Sequence, residues 1–257
     1  MLEGRAVLVT GAARGIGRGI AEALSEAGAR IALLDRDGDA VRNAASELAS
    51  GEVETLALEA DVSDREAVER AVDRTVERFG AIDGLVNNAG LLRMGPALES
   101  DATDWRDQFE VNLLGTFLAC RAAGSRMIEG GRGGAIVNVA SNAGKVGYPN
   151  MAAYNATKAA VIRLTQSLAA EWAEHDINVN AVCPGGVDTD MLRDVAAWIA
   201  ERTDGDAERW LGEMVPQQLG RHVRPIEVGR VVAFLLSDDA AIVRGQAINT
   251  DGGDAPY

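Results

Sequence analysis

Seven short runs of apolar, mostly β-branched residues alternate with Ala-, Glu- and Arg-rich stretches along the chain, and this alternation restricts the fold more than any other feature. The runs are 5–10 (RAVLVT), 30–35 (RIALLD), 53–59 (VETLALE), 83–88 (DGLVNN), 134–140 (GAIVNVA), 177–183 (INVNAVC) and 246–250 (QAINT). They are too apolar to alternate between a wet and a dry face. Strands of that kind belong in a parallel sheet covered on both sides, and parallel strands need long crossover connections. Helical stretches fill the gaps near 15–27, 38–50, 64–79, 101–128, 152–174 and 225–237. The expectation is an α/β, doubly wound single domain over 1–257, with seven parallel strands flanked by helices. Residues 188–224 depart from this pattern, because they hold helical pieces and no strand. They carry Trp198 and Trp210 and follow the C-terminal end of a strand, which suits a small helical lid over a site. Packing the insertion down is the plainer role for the two tryptophans.

The 257 residues are 47% hydrophobic and 25% charged, enough for a full core. The formal net charge of −14 repels nucleic acid and anionic membrane surfaces, and no dense basic run offsets it. Cys120 and Cys183 lie in apolar segments without a Cys-x-x-Cys pair, so both read as reduced core residues. His175 and His222 are isolated, and no metal-ligand spacing occurs. The N-terminus lacks the pattern of a signal peptide, and no apolar run approaches a membrane span. The expectation is a soluble, cytoplasmic protein.

The first strand runs into Thr10-Gly11-Ala12-Ala13-Arg14-Gly15-Ile16-Gly17 and then a helix. Glycines there permit a sharp turn and let a pyrophosphate reach the helix N-terminus, where free N–H groups and the dipole favour anions. About 20 residues on, the second strand ends at an acid, the context that makes such a loop a dinucleotide site. That acid, Asp35, can accept from both hydroxyls of an adenosine ribose and repels a 2′-phosphate, so it favours NAD over NADP. Arg14 and Arg36 pull the other way, since either could pair with a 2′-phosphate.

Ser141 ends an apolar run, and Tyr154 and Lys158 follow it one helical turn apart. A phenol titrates near ~10, and a neighbouring ammonium pulls that value down towards a range useful for proton exchange with an alcohol or carbonyl. Ser141 can hold the reacting oxygen by a hydrogen bond. Of 25 basic residues only Lys145 and Lys158 are lysine. A lysine retained in so arginine-rich a chain suits a place that wants a compact, titratable ammonium.

With the glycine loop, Asn87-Asn88-Ala89-Gly90 and the Ser141, Tyr154 and Lys158 set together, the chain resembles the classical short-chain dehydrogenases/reductases over essentially its whole length. The resemblance implies a Rossmann fold and reversible hydride transfer between a secondary alcohol and a nicotinamide coenzyme, with Tyr154 as general acid/base. It implies that Lys158 binds the nicotinamide ribose and lowers the Tyr154 pKa, helped by the positive oxidised ring. Ser141 would orient the substrate oxygen, and Asn112 would complete a tetrad as a proton relay through a helix distortion and a water. It places Gly11, Gly15, Ile16 and Gly17 at the pyrophosphate and Asp61 and Val62 at the adenine. Asn88, Ala89 and Gly90 would run along the coenzyme, and Pro184, Gly185, Val187 and Thr189 would hold the nicotinamide end. Asn142 stands where many relatives have serine, and either touches substrate or caps the local turn. Substrate contacts fall on Ser141, Asn142, Tyr148, Tyr154, Gly186 and Met191, with Leu92, Met94, Val146, Trp198 and Met214 as further lining. Lys145 is expected to be exposed. The substrate reads as a diol, polyol or sugar. A 3-oxoacyl-(acyl-carrier-protein) reductase, a catalytically silent dinucleotide-binding sensor and a structural subunit stand as alternatives. Relatives of this kind pair the helices at 101–128 and 152–174 into homotetramers.

Overall fold

The computed structural model describes residues 1–49 and 53–255. Seven parallel strands form one sheet in the order β3-β2-β1-β4-β5-β6-β7. They are β1 (Ala6–Thr10), β2 (Arg30–Asp35), β3 (Thr55–Glu59), β4 (Gly84–Asn87), β5 (Gly134–Val139), β6 (Ile177–Pro184) and β7 (Ala247–Thr250). The order reverses beside β1, which is paired to β2 on one edge and β4 on the other. In doubly wound sheets ligands bind outside the strand ends at such a point.

Burial on both faces explains the apolar runs. Along β1, Val7 and Val9 enter one core with Ile20 and Leu24 of α1 (Gly15–Glu26). The intervening Ala6 and Leu8 enter the opposite core with Val68 and Val72 of α3 (Arg65–Phe79). Between α1 and α3 in the chain comes α2 (Gly38–Ala49), and Ser50, expected in this helix, lies outside the described residues.

The helix expected over 101–128 is not uniform. It consists of α4 (Ala102–Phe109), a π-helical stretch over Glu110–Gly115 and α5 (Thr116–Gly130). The widened turn is braced from outside the helix. Asn112 in that turn is tied to Leu91: its Nδ2 donates to the Leu91 carbonyl at 2.8 Å and its Oδ1 accepts the Leu91 N–H at 2.7 Å. Gly115 completes the fit, since a Cβ there would stand 2.8 Å from Val62 Cγ2.

α6 (Ala152–Glu171) gives way to a short 3-10 turn at Ala173–His175, which Asp176 ends at φ 54°. The 188–224 segment contains α7 (Asp190–Ala200) and α8 (Ala207–Glu213), closed at its base by a parallel bridge between Val187 and Val223. α9 (Pro225–Leu235) starts with proline at its first position, and Glu227 accepts the Arg224 backbone N–H at 2.8 Å. Among the described residues no helix is long and apolar enough to cross a membrane, and no group of His, Cys, Asp or Glu side chains is placed to hold a metal ion.

Candidate active site

Ser141, Tyr154, Lys158 and Asn112 converge beyond the C-terminal ends of β4 and β5. Ser141 follows β5 directly and caps a short 3-10 turn, its Oγ accepting the Ala143 N–H at 3.1 Å. The same hydroxyl can donate to Asn142 Oδ1 at 3.4 Å or the Pro184 carbonyl at 3.5 Å. Gly144 lets this turn lie against α6, because a Cβ there would stand 2.7 Å from the Lys158 carbonyl carbon. Lys158 is 4% exposed and donates to the Val139 carbonyl at 2.8 Å. Its Nζ lies 5.7 Å from the centroid of the Tyr154 ring. Asn112 does not touch Lys158. Its third hydrogen bond, Nδ2 to Thr157 Oγ1 at 3.1 Å, reaches the neighbouring face of α6. Gly90 fills the space between them, since a Cβ there would be 3.5 Å from Asn112 Oδ1 and 3.6 Å from Lys158 Nζ.

The electrostatics correct one expectation. Among the protein's own groups, burial pushes Tyr154 up to about 12, with the Ser141 hydroxyl acting in the opposite sense. Burial likewise pushes Lys158 down to about 8. Desolvation is thus the leading influence on both groups before a coenzyme's positive ring is added.

The β1–α1 loop is shaped for an anion. Gly11 and Gly15 take φ of 62° and 56°, and a Cβ on Gly17 would collide with the Gly11 carbonyl. No side chain caps the N-terminus of α1. Asn88 braces the loop, donating to the Thr10 carbonyl at 3.1 Å and the Gly11 carbonyl at 2.9 Å, while Ala89 N donates to Thr10 Oγ1 at 3.1 Å. Asp35 accepts the Ala13 N–H and the Asp37 N–H, both at 3.2 Å. Thr189 sits above the loop, its Cγ2 3.6 Å from where a Gly15 Cβ would be, beside a cleft of about 360 Å³. The anion cradle and the acid at the end of β2 fit a dinucleotide.

A family model for the short chain dehydrogenases matches residues 5–200. The chain belongs to this family. It is 40% identical over 256 residues to a sorbitol dehydrogenase of Cereibacter sphaeroides, covering 98% of each chain. It is 41% identical to a D-threitol dehydrogenase of Mycolicibacterium smegmatis, covering 98% of this chain and 93% of that one. Among solved structures, levodione reductase superposes with a TM-score of 0.94 at 34% identity over 100% of both chains. The protein is therefore an NAD(P)-dependent short-chain dehydrogenase acting on alcohols or ketones.

The remaining expected residues of this short-chain dehydrogenase divide clearly. Asp61 is exposed, and the Ser63 hydroxyl and N–H hold its carboxyl below its usual range, with Arg36 adding to the effect. Val62 is buried, and Arg14 and Arg36 are exposed. Trp198 lines a cavity of about 200 Å³ with Met94, Gln108 and Ala153, and Ser141, Tyr154 and Lys158 do not line it. Trp210 instead packs α8 onto the turn after α7, its Nε1 donating to Thr203 Oγ1 at 2.9 Å. Met191 is 41% exposed. Lys145, expected to be exposed, is half-buried, because its Nζ reaches across to the Ala247 carbonyl of β7 at 2.7 Å. Asn142 is buried, and its Nδ2 donates to Tyr148 Oη at 2.9 Å and to Asp254 Oδ2 at 3.0 Å. Burial, then the Asp254 carboxylate, pushes Tyr148 up to about 12. The closing Asp251-Gly252-Gly253 fits the C-terminal end that the family resemblance implies, but Asp254 beside it is not among the expected site residues. The signal was the repeated Asp in DGGDA, an acid two glycines after an acid, which marks a tight turn bonded to its own backbone.

Proposed function

We propose that this short-chain dehydrogenase reversibly oxidises a secondary alcohol of diol, polyol or sugar type with NAD, using Tyr154 as general acid/base. The observation that carries the reading is the joint placement of Ser141, Tyr154 and Lys158 beyond β5, with the anion cradle of Gly11–Gly17 on the neighbouring strand end. When bound, NAD supplies the hydride acceptor and a positive ring. Gly15, Ile16 and Gly17 hold the pyrophosphate, and Asp61 and Val62 the adenine. Ala89, Gly90, Val187 and Thr189 position the nicotinamide half. Ser141 Oγ orients the reacting oxygen, and Tyr154 Oη takes the hydroxyl proton in oxidation and returns it in reduction. Lys158 stabilises the phenolate, and Asn112, through the helix distortion and a water, links Lys158 to solvent as a proton relay. The 188–224 segment excludes water as a lid.

Asp35 supports NAD, since its half-buried carboxylate would lie unpaired beside a 2′-phosphate. The same acid weighs against a reductase that depends on NADP. The two polyol dehydrogenases at 40% and 41% identity support the substrate class. A homotetramer built on α4–α5 and α6 agrees with the exposure of Leu114 and Ile128 on that helix pair, at 39% and 37%. The net charge of −14 gives no purchase for nucleic acid or an anionic membrane.

Turnover of a panel of diols, polyols and simple secondary alcohols with NAD and NADP tests the reading. Wild type should oxidise polyols with NAD, and Tyr154→Phe should lower kcat by a factor of at least ~10³ while coenzyme still binds. Near-normal turnover by that variant would rule out the mechanism. Light scattering that gives a monomer would rule out the tetramer.

A further inference from the structure

The stretch after β7, which opens on Asp251-Gly252-Gly253, packs against the Ser141 turn through Asp254, a residue that no expected site includes. Asp251 is 2% exposed and bends the chain back on itself, its Oδ1 accepting Gly253 N–H at 3.0 Å and its Oδ2 accepting Ala255 N–H at 2.8 Å. Gly252 and Gly253 take φ of 70° and 85° within this turn. The turn is clamped from the lid side, where Gln218 Nε2 donates to the Gly253 carbonyl at 3.0 Å. A Cβ on Gly252 would stand 2.9 Å from Pro216 Cβ, so lid and turn are in direct contact. The result is that Asp254 points its carboxylate at the Ser141 turn.

There a continuous polar chain forms. Ser141 Oγ meets Asn142 Oδ1 at 3.4 Å, and Asn142 Nδ2 donates to both Tyr148 Oη and Asp254 Oδ2. Tyr148 Oη in turn donates to Asp254 Oδ2 at 3.3 Å. Both donors engage Oδ2. Asp254 is exposed, and its Oδ1 takes no hydrogen bond from the described residues. A carboxylate held rigidly by two partners, with one oxygen open to solvent, is a pre-organised acceptor. It is suited to a neutral group that donates a hydrogen bond and hostile to an anion.

We propose that Asp254 is a specificity-determining residue that accepts a hydrogen bond from a second hydroxyl of the substrate, vicinal to the one oxidised at Ser141 and Tyr154. The ligand class is neutral vicinal diols and polyols, and alcohols carrying a carboxylate at that position or one carbon beyond it are rejected. This rests on the alcohol-oxidising reading of Tyr154 and goes beyond it in naming what the site recognises.

The test is kcat/KM, at saturating NAD, for 2,3-butanediol, 2-butanol and 3-hydroxybutyrate in wild type, Asp254→Ala and Asp254→Asn. The expected result is that the diol-to-2-butanol ratio falls about tenfold in Asp254→Ala. The 3-hydroxybutyrate-to-2-butanol ratio should rise in both variants, since both remove the charge. Asp254→Asn keeps the size of the side chain and an oxygen for Asn142 and Tyr148, and so decides the matter if the alanine variant loses the turn. An unchanged 3-hydroxybutyrate ratio in Asp254→Asn, or both ratios moving in the same direction in either variant, would overturn the proposal while leaving the alcohol-oxidising reading intact. Wild type that oxidises none of the three would overturn both.

Discussion

Lys158 donates its ammonium proton to the Val139 carbonyl oxygen over 2.8 Å, which fixes the charge at the end of β5 while only 4% of the residue meets solvent. Burial moves this lysine from 10.5 to about 8. Between those values the unfolded chain holds a proton that the folded chain has released. Stability therefore rises with pH across that window, and the penalty is full below about pH 8. A shift of this size corresponds to roughly 3 kcal/mol, and an orphaned Val139 carbonyl would take back about 1–2 kcal/mol. Lys158→Met should therefore abolish turnover and yet be more stable than wild type by about 1–2 kcal/mol at pH 7. Calorimetry at pH 7 and pH 10 checks this, and the advantage should shrink at the higher pH.

The hydroxyl of Ser141 has two tasks that one substitution separates. It accepts the Ala143 N–H at 3.1 Å as the cap of its turn, and in the proposed mechanism it orients the reacting oxygen. Ser141→Ala should cost about 1 kcal/mol of stability through the lost cap. Its effect on kcat should be far larger, on the order of 10²-fold or more. Ser141→Thr keeps the oxygen and should retain part of the activity. Melting temperature and kcat measured on both variants separate the tasks.

Asn112 predicts a coupling between helix shape and site. Its side chain makes three hydrogen bonds, two with the Leu91 backbone and one with Thr157, and it is 1% exposed. Asn112→Leu removes all three and leaves the Leu91 N–H and carbonyl without partners. The expected loss is about 2–4 kcal/mol. Hydrogen exchange should show faster opening at Leu91 and along Glu110–Gly115. Unchanged exchange at Leu91 would mean that the side chain does not hold the widened turn.

The strands and most helix starts were legible because each follows from local pattern. Six of the seven strands fall within one residue of their sequence limits at each end, and β3 begins at Thr55, two residues after its run begins at 53. All seven are short and apolar; β1, β2, β4, β5 and β6 are buried on both faces, while the edge strands β3 and β7 are only partly buried. The π stretch was not legible as a derivation from the helix itself, because its cause, Leu91, belongs to another segment. Lys145 was misjudged for the same reason, its partner Ala247 being 102 residues away. Ser141, Tyr154 and Lys158 could be named from their types and spacing, and Asn112 only from the family resemblance. The direction of the Tyr154 shift could not, since desolvation depends on packing that no spacing encodes.

Glycines supply a paired test of packing. A Cβ on Gly19 of α1 would stand 2.5 Å from the Pro225 carbonyl carbon, and one on Gly229 of α9 would stand 2.6 Å from the Gly19 carbonyl oxygen. These helices meet backbone to backbone. Gly19→Ala should therefore destabilise by about 1–3 kcal/mol, the overpacking cost exceeding the gain in helix propensity. Gly212 in α8 has nothing within 4 Å of its Cβ position. Gly212→Ala should stabilise, by up to about 1 kcal/mol. Denaturant midpoints of opposite sign would establish the contrast.

Asp35 sets the last prediction. Its carboxylate accepts the Ala13 N–H of the glycine loop and the Asp37 N–H, so it organises the rim of the coenzyme cleft as well as carrying charge. Asp35→Ser keeps an oxygen near the Ala13 N–H and removes the charge that opposes a 2′-phosphate. Arg14 and Arg36 are exposed on the flanking turns and could then pair with that phosphate. Two effects add. NAD loses the acceptor for its ribose hydroxyls, at a cost of about 1.5–3 kcal/mol for hydrogen bonds to a charged group, and NADP loses an uncompensated repulsion. The ratio of kcat/KM for NADP over NAD should therefore rise by about 10²-fold or more. Arg36→Ala added to Asp35→Ser should reverse part of that gain, because a guanidinium contributes only where the phosphate is present. If the single variant loses both coenzymes equally, Asp35 holds the loop and does not select the coenzyme.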